Sequence, residues 1–89
     1  MSDAERILGE VKGFLLEQFL PEEDPAALTN DIALVTSGVL DSVALVKLVA
    51  HLEETYGVEL EAYEISADFL DTPAMIAGTV EGKLSERAG

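Results

Sequence analysis

The 89-residue chain has no cysteine and no tryptophan, and only five of its residues are lysine or arginine. The first absence excludes a disulfide framework, a cysteine metal site and a cysteine nucleophile at once. Any thiol chemistry would have to arrive on a cofactor. No apolar run approaches the ~18 residues of a membrane span. The start, Met1-Ser2-Asp3-Ala4-Glu5, has neither the basic segment nor the apolar stretch of a secretory leader. The expectation is a cytoplasmic protein without membrane insertion. The scarcity of basic residues is sharpened by their placement. None lies between Lys12 and Lys47, and none between Lys47 and Lys83, against 18 acidic residues and a formal net charge of -13. Nucleic acids and anionic membranes are gripped through lysine and arginine, so such a surface repels both. It attracts basic patches on other proteins, and it also confers solubility.

Apolar residues make up 48% of the chain, enough for a packed core despite the charge. The length suits one domain, residues 1–89, with no room for a second core. Ser2-Asp3-Ala4-Glu5 has the spacing of a capping box. Ile7, Leu8, Val11, Phe14, Leu15 and Phe19 then recur at helical spacing, and Pro21 ends that first helix. A long connection runs from Pro21 to Leu40. It carries the turn-prone Thr29-Asn30-Asp31 and Ser37-Gly38, but also Ile32, Leu34, Val35, Val39 and Leu40, so it should pack onto the core. Asp41 is a good N-cap for a second helix from Ser42 to Tyr56, with Leu45, Val46, Val49, Leu52 and Tyr56 as its apolar stripe. Gly57 stands where a left-handed C-cap belongs. Glu64 to Leu70 allows one or two further helical turns, with Ile65 and Phe69 facing in. Thr72-Pro73 reads as a cap followed by proline at the first position of a last helix, striped by Ile76, Val80 and Leu84. Nothing alternates at period two. The fold class predicted is all-α, a small four-helix bundle of three main helices, one short helix and a long first loop.

An enzyme reading finds little support. His51 is the one histidine and lies nine residues beyond Ser42 on the same predicted helix. At ~1.5 Å per residue that places it ~13 Å away, beyond hydrogen-bond reach. A Ser-His pair is therefore excluded, and His51 is expected at the surface. The runs Glu22-Glu23-Asp24 and Glu53-Glu54 are expected to be solvated. No stretch has the alternating oxygen ligands, central glycine and terminal glutamate of a calcium loop. No metal site and no catalytic residue is assigned.

What stands out is Gly38-Val39-Leu40-Asp41-Ser42-Val43. It ends a loop and puts a serine in the first turn of a helix, where free backbone amides and the helix dipole stabilise an anion. Serine at a helix start is often only a cap. Here Asp41 is the better cap, which leaves the Ser42 hydroxyl without a structural task. Asp41-Ser42-Val43 resembles the phosphopantetheine attachment motif of acyl carrier and peptidyl carrier proteins. Its surroundings resemble that family too: Ser37-Gly38 and Leu40 before it, then Leu45, Val46, Leu48, Val49, Leu52-Glu53-Glu54 and Tyr56-Gly57-Val58-Glu59, and finally Thr72-Pro73.

The resemblance implies a carrier and not a catalyst. A phosphopantetheinyl transferase would attach 4'-phosphopantetheine to Ser42, beside the cap Asp41 and the hydrophobic collar residue Val43. The arm's thiol would hold an acyl or aminoacyl group as a thioester. A loading enzyme and a downstream acyltransferase or synthase would dock on the second helix and the loop before it, at Val39, Leu40, Val43, Ala44, Lys47 and His51. Carriers of primary fatty-acid synthesis resemble one another in placing acidic residues soon after the serine. This chain has Ala44 and Lys47 there, and its acids come later, at Glu53, Glu54, Glu59, Glu61 and Glu64. That departure implies a dedicated pathway. Phe69-Leu70-Asp71-Thr72-Pro73 is similar to the matching stretch of D-alanyl carrier proteins, and stand-alone polyketide or nonribosomal peptide carriers fit equally well. The alternative is an unmodified docking adaptor of the same fold. A monomer is expected of a mobile carrier.

Mutual repulsion among the carboxylates predicts that salt stabilises the fold. The melting temperature at neutral pH should rise as sodium chloride is raised to about 0.15 M, where the screening length falls to ~8 Å. A melting temperature indifferent to salt would refute this.

Overall fold

The computed structural model describes residues 3–88, and among them four α-helices and no strand. The helices are α1 (Asp3–Gln18), α2 (Ser42–Tyr56), the short α3 (Ala67–Leu70) and α4 (Pro73–Ala88). This is the all-α bundle expected from the sequence. No described helix is long and apolar enough to cross a membrane. The expected capping box at Ser2 lies outside the described residues.

Spacing dictates how α1 sits. Ile7, Val11 and Leu15, each four residues from the next, are its buried positions, and the helix packs against α4. Beyond Gln18 the amides of Phe19 and Leu20 still donate to the Leu15 carbonyl at 2.9 and 3.1 Å. Pro21 has no amide to continue the ladder. Within the long connection the structure adds a 3-10 turn, Pro25–Ala27, whose first amides are capped by Asp24 Oδ1, accepting from Ala26 N–H at 2.9 Å. As expected, the connection packs down: Leu28, Leu34 and Leu40 join the core. Ile32 and Val39 do not, and stay at the surface.

α2 has the predicted bounds and both predicted caps. Asp41 Oδ1 accepts from Ala44 N–H at 2.8 Å, and Gly57 takes the left-handed conformation (φ 67°), donating its N–H to the Glu53 carbonyl at 2.9 Å. Of its expected apolar stripe, Val49 and Leu52 are buried and Leu45 and Tyr56 pack partly buried against the core, but Val46 does not. The buried positions are Ala44, Leu48, Val49 and Leu52, whereas Val46 is 65% exposed. Five aliphatic residues crowd the first two turns, covering more of the helix circumference than one face needs. Hydropathy alone therefore does not single out Val46 as the exposed one, and the i, i+4 series Ala44–Leu48–Leu52 marks the centre of the buried face.

The segment expected to form one short helix is split. Ala62–Glu64 makes a 3-10 turn and Ala67–Leu70 makes α3, with Ser66 extended between them. Ile65 and Phe69 pack partly buried against the core, and Leu70 is fully buried. Glu64, at the head of that segment, is buried. Its Oε1 accepts from Glu61 N–H at 2.8 Å and pairs with Lys83 Nζ of α4. The lysine bond, followed by the backbone bond, holds the Glu64 carboxyl below its ordinary range. Thr72 caps α4 as predicted, its Oγ1 accepting from Met75 N–H at 3.1 Å. Ile76 and Val80 are fully buried and Leu84 partly so.

Gly78 and Gly82 lie on the exposed side of α4, and a methyl group at either would meet no atom within 4 Å. Glycine in a helix interior is worse than alanine by about 1 kcal/mol. The double change Gly78→Ala/Gly82→Ala should therefore raise unfolding free energy by about 1–2 kcal/mol in urea titrations. A destabilised double variant would show that α4 does not form as described.

Candidate functional site

The long connection reaches the start of α2 through a turn held from outside itself. Asp71, between α3 and α4, aims its carboxylate at this turn. Its Oδ1 accepts from the amides of Leu34, Val35 and Thr36 at 3.2, 2.9 and 2.9 Å, and its Oδ2 accepts from the Thr36 hydroxyl at 3.0 Å. The Leu34 amide also donates to the Asp71 carbonyl at 2.6 Å. These bonds, that from Thr36 N–H foremost, hold the Asp71 carboxyl below its ordinary range. Nearby, Ala74 N–H donates to the Asn30 carbonyl at 3.0 Å, tying the same loop to the first turn of α4.

From that anchor the chain turns at Gly38, whose φ of 88° favours glycine. Ser37 Oγ donates to the Ala33 carbonyl at 2.7 Å, and Leu40 N–H donates to Leu34 O at 2.9 Å. Leu40 is thereby driven into the core, and Asp41 emerges extended at the head of α2. Its carboxylate takes the Ala44 amide and its carbonyl takes the Leu45 amide at 2.8 Å. The amides of Ser42 and Val43 have no partner among the described residues. Ser42 is exposed, and its hydroxyl bonds to none of the described residues. A phosphate ester on that oxygen suits the site, because two free amides and the positive end of a 15-residue helix face it.

The other expected site residues divide. Val39, Val43 and Lys47 are exposed, and Val46 joins them on the outer side of α2. Leu40 and Ala44 are core residues, 2% and 8% exposed, so neither belongs to a docking surface. His51 is not a freely exposed residue either. Its ring stacks on Phe14 of α1, with centroids 3.7 Å apart and planes within 11°, and it is half-buried. Together with the hydrogen bond of 2.7 Å that Tyr56 donates to Glu10, this stack ties α2 to α1. Held against Phe14 two turns along the helix, the imidazole has no route to Ser42.

Ser42 thus stands exposed at the head of α2, with no side-chain partner among the described residues. The profile of the "Phosphopantetheine attachment site" family matches residues 15–80, most of the chain. The chain belongs to this family. Family members carry covalently attached 4'-phosphopantetheine and act as carrier domains, substrates of other enzymes and not catalysts. Among curated proteins, the chain is 41% identical over 66 residues to the lincomycin biosynthesis protein LmbN of Streptomyces lincolnensis, covering 74% of this chain and 24% of that protein. It is 37% identical over 51 residues to D-alanyl carrier protein 1 of Lactiplantibacillus plantarum, covering 57% of this chain and 64% of that one. The chain thus spans about a quarter of the first relative and under two thirds of the second.

Sequence reasoning missed Asp71 as part of this family member's site. The signal was present in Phe69-Leu70-Asp71-Thr72-Pro73, where one aspartate precedes a threonine-proline helix start and is not needed as its cap. Because the folded-state Asp71 carboxyl lies below the unfolded value of about 3.9, its contribution to stability is complete above that pH. It is lost as pH falls through the lowered folded value. The stability difference between the wild type and Asp71→Asn should therefore be largest near neutrality and shrink below about pH 4. Parallel urea titrations of both proteins check this. A difference constant with pH would remove the charge from the explanation.

Proposed function

We propose that Ser42 is the attachment residue of the 4'-phosphopantetheine arm, and that the chain carries acyl or aminoacyl groups for a dedicated biosynthetic pathway. The observation that carries this reading is the free Ser42 hydroxyl beside two unpartnered amides. When bound, the arm supplies a terminal thiol that holds the cargo as a thioester. The protein's own residues keep the serine reachable and its surroundings fixed. Asp41 caps the helix so that Ser42 does not have to. Asp71 holds the preceding turn, and Val43 stands beside the ester as an apolar collar.

Partner enzymes, namely a phosphopantetheinyl transferase, a loading enzyme and a downstream acyltransferase or synthase, dock on the outer side of α2. Val39, Val43 and Val46 give that surface an apolar character, and Lys47 gives it a cation where acids are absent until Glu53. The likeness to a lincomycin biosynthesis protein and to a D-alanyl carrier protein supports a specialised pathway over general fatty-acid synthesis. Residues 1–89 form one carrier domain, which acts as a monomer in the cytoplasm.

Intact-mass measurement after incubation with coenzyme A and a broad-specificity phosphopantetheinyl transferase tests the assignment. The wild type should gain one phosphopantetheine, and Ser42→Ala none, with both proteins folded by circular dichroism. A folded wild type left unmodified by several transferases would instead favour the docking adaptor.

A further inference from the structure

Along the outer side of α4 runs an open groove of about 340 Å³, lined by Gly78 and Gly82 together with Tyr63, Phe69 and Thr79. The two glycines, four residues apart, form its floor, because no side chain rises there above the helix backbone. Tyr63 and Phe69 make an aromatic wall, meeting edge to face with ring centroids 5.8 Å apart. Tyr63 is 68% exposed, a large ring of which the core uses little. Nor does the fold ask for glycine on α4. Alanine is the better helix former, and a Cβ at Gly78 or Gly82 would meet nothing within 4 Å. What added side chains would obstruct is an approach from outside.

Shape and charge then select the occupant. A floor of glycines at i and i+4 admits the ridge of a second helix at close range. Past Lys83 and Glu86 the groove continues into a hollow beside Gly57, Glu59 and Glu61. Lys83, the one cation lining either part among the described residues, is bound to Glu64. Glu59, Glu61, Glu64 and Glu86 thus stand against a single ammonium, and Glu81 flanks the glycines on their other side. The complement of an aromatic and glycine groove with acidic edges is an apolar stripe bordered by lysine or arginine. Gly57 also marks the end of α2 opposite Ser42. Across a helix of 15 residues those ends lie ~21 Å apart.

We propose that the α4 groove is a second docking site, which takes a basic amphipathic helix of a partner protein. Such a partner holds the chain by the side of α4 while Ser42 and the outer side of α2 stay open to other enzymes. Holding raises the effective concentration of the carrier near whatever the partner is joined to. The proposal goes beyond the carrier reading and does not depend on modification of Ser42.

The test titrates isotope-labelled full-length protein with a synthetic peptide of about 18 residues, long enough to form a helix on binding. Its leucines recur at i, i+3, i+4 and i+7, and its other residues are lysines. Amide signals of Tyr63, Phe69, Gly78 and Gly82 should shift saturably, while those of Ser42 and Val43 stay in place. Gly82→Leu, which fills the groove from an exposed position, should weaken binding about tenfold or more, as the loss of an interface anchor does. Tyr63→Ala, which removes the wall, should weaken it comparably. Gly13→Leu, at an equally exposed glycine of α1 outside the groove, should leave the affinity unchanged. Circular dichroism checks that each variant is folded. A peptide of the same composition in scrambled order, lacking the stripe, should bind about tenfold more weakly or worse. Shifts spread over the whole acidic surface or centred on α2 would overturn the docking site. So would a scrambled peptide that binds as well, or an affinity untouched by Gly82→Leu and Tyr63→Ala. None of these outcomes bears on the attachment of an arm to Ser42, which the mass measurement tests separately.

Discussion

The carboxylate of Asp71 is the contact on which the presenting end of the molecule depends. Some twenty residues separate α1 from α2, and a connection of that length with a single 3-10 turn is entropically expensive to fix. Its backbone amides also need partners once the segment packs down. One side chain addresses both demands. Asp71 gathers the amides of Leu34, Val35 and Thr36 together with the Thr36 hydroxyl. Those amides would otherwise be poorly served in a turn lying against a helix junction. With the turn fixed, Leu34 and Leu40 fall into the core, and the chain between them leaves one exit, which is the position of Asp41. The place of Ser42 is thus determined from the junction of α3 and α4, some thirty residues later in the sequence.

Charge in this chain does two kinds of work. Most of the acidic residues are exposed and keep the molecule soluble while repelling one another. A few are fixed by bonds to amides: Asp24 and Asp41 cap helix starts, Asp71 holds the turn, and Glu53 accepts from Leu60 N–H at 3.0 Å. Glu64 combines a backbone bond with the Lys83 ion pair and so links the segment after α2 to the last helix. The outer side of α2 near Ser42 takes part in neither scheme. It carries valines and Lys47 in a chain that has more than three acids for every base. That surface is apolar without serving the core, and it lies beside the exposed Ser42.

Much of this was legible in the sequence because it is local. Asp41, Gly57 and Thr72-Pro73 each act within one turn of the residue itself, and all three do what their chemistry predicts. The bounds of α2 follow from two of them. What the sequence concealed is long-range or phase-dependent. Asp71 contacts residues 35 to 37 positions away, a pairing no local pattern announces. The burial of Glu64 is not announced locally because its partner Lys83 is on another helix. Val46 reads as core and Ala44 as surface because the clustered aliphatics of α2 cover more than one face. The phase of the helix decides which of them stay exposed on α2: Val43 and Val46 do, and Ala44 does not.

The two halves of the site make opposite demands, and the fold separates them. A carrier's arm has to swing widely, which asks for an exposed attachment point with no side-chain partner. Its base has to be presented in one orientation, which asks for a rigid backbone. A serine in a loop would meet the first demand and fail the second, whereas a serine acting as the N-cap would meet the second with its hydroxyl occupied. Placing Ser42 one residue inside the helix, behind an aspartate that caps, resolves the conflict: the backbone is helical and the hydroxyl is free. The same step leaves the amides of Ser42 and Val43, unpartnered among the described residues, available to an anion at that hydroxyl. Exchanging the order of Asp41 and Ser42 would keep the composition and much of the cap while losing the presentation. The order of these two residues, more than the presence of either, is what suits the helix to carry an arm.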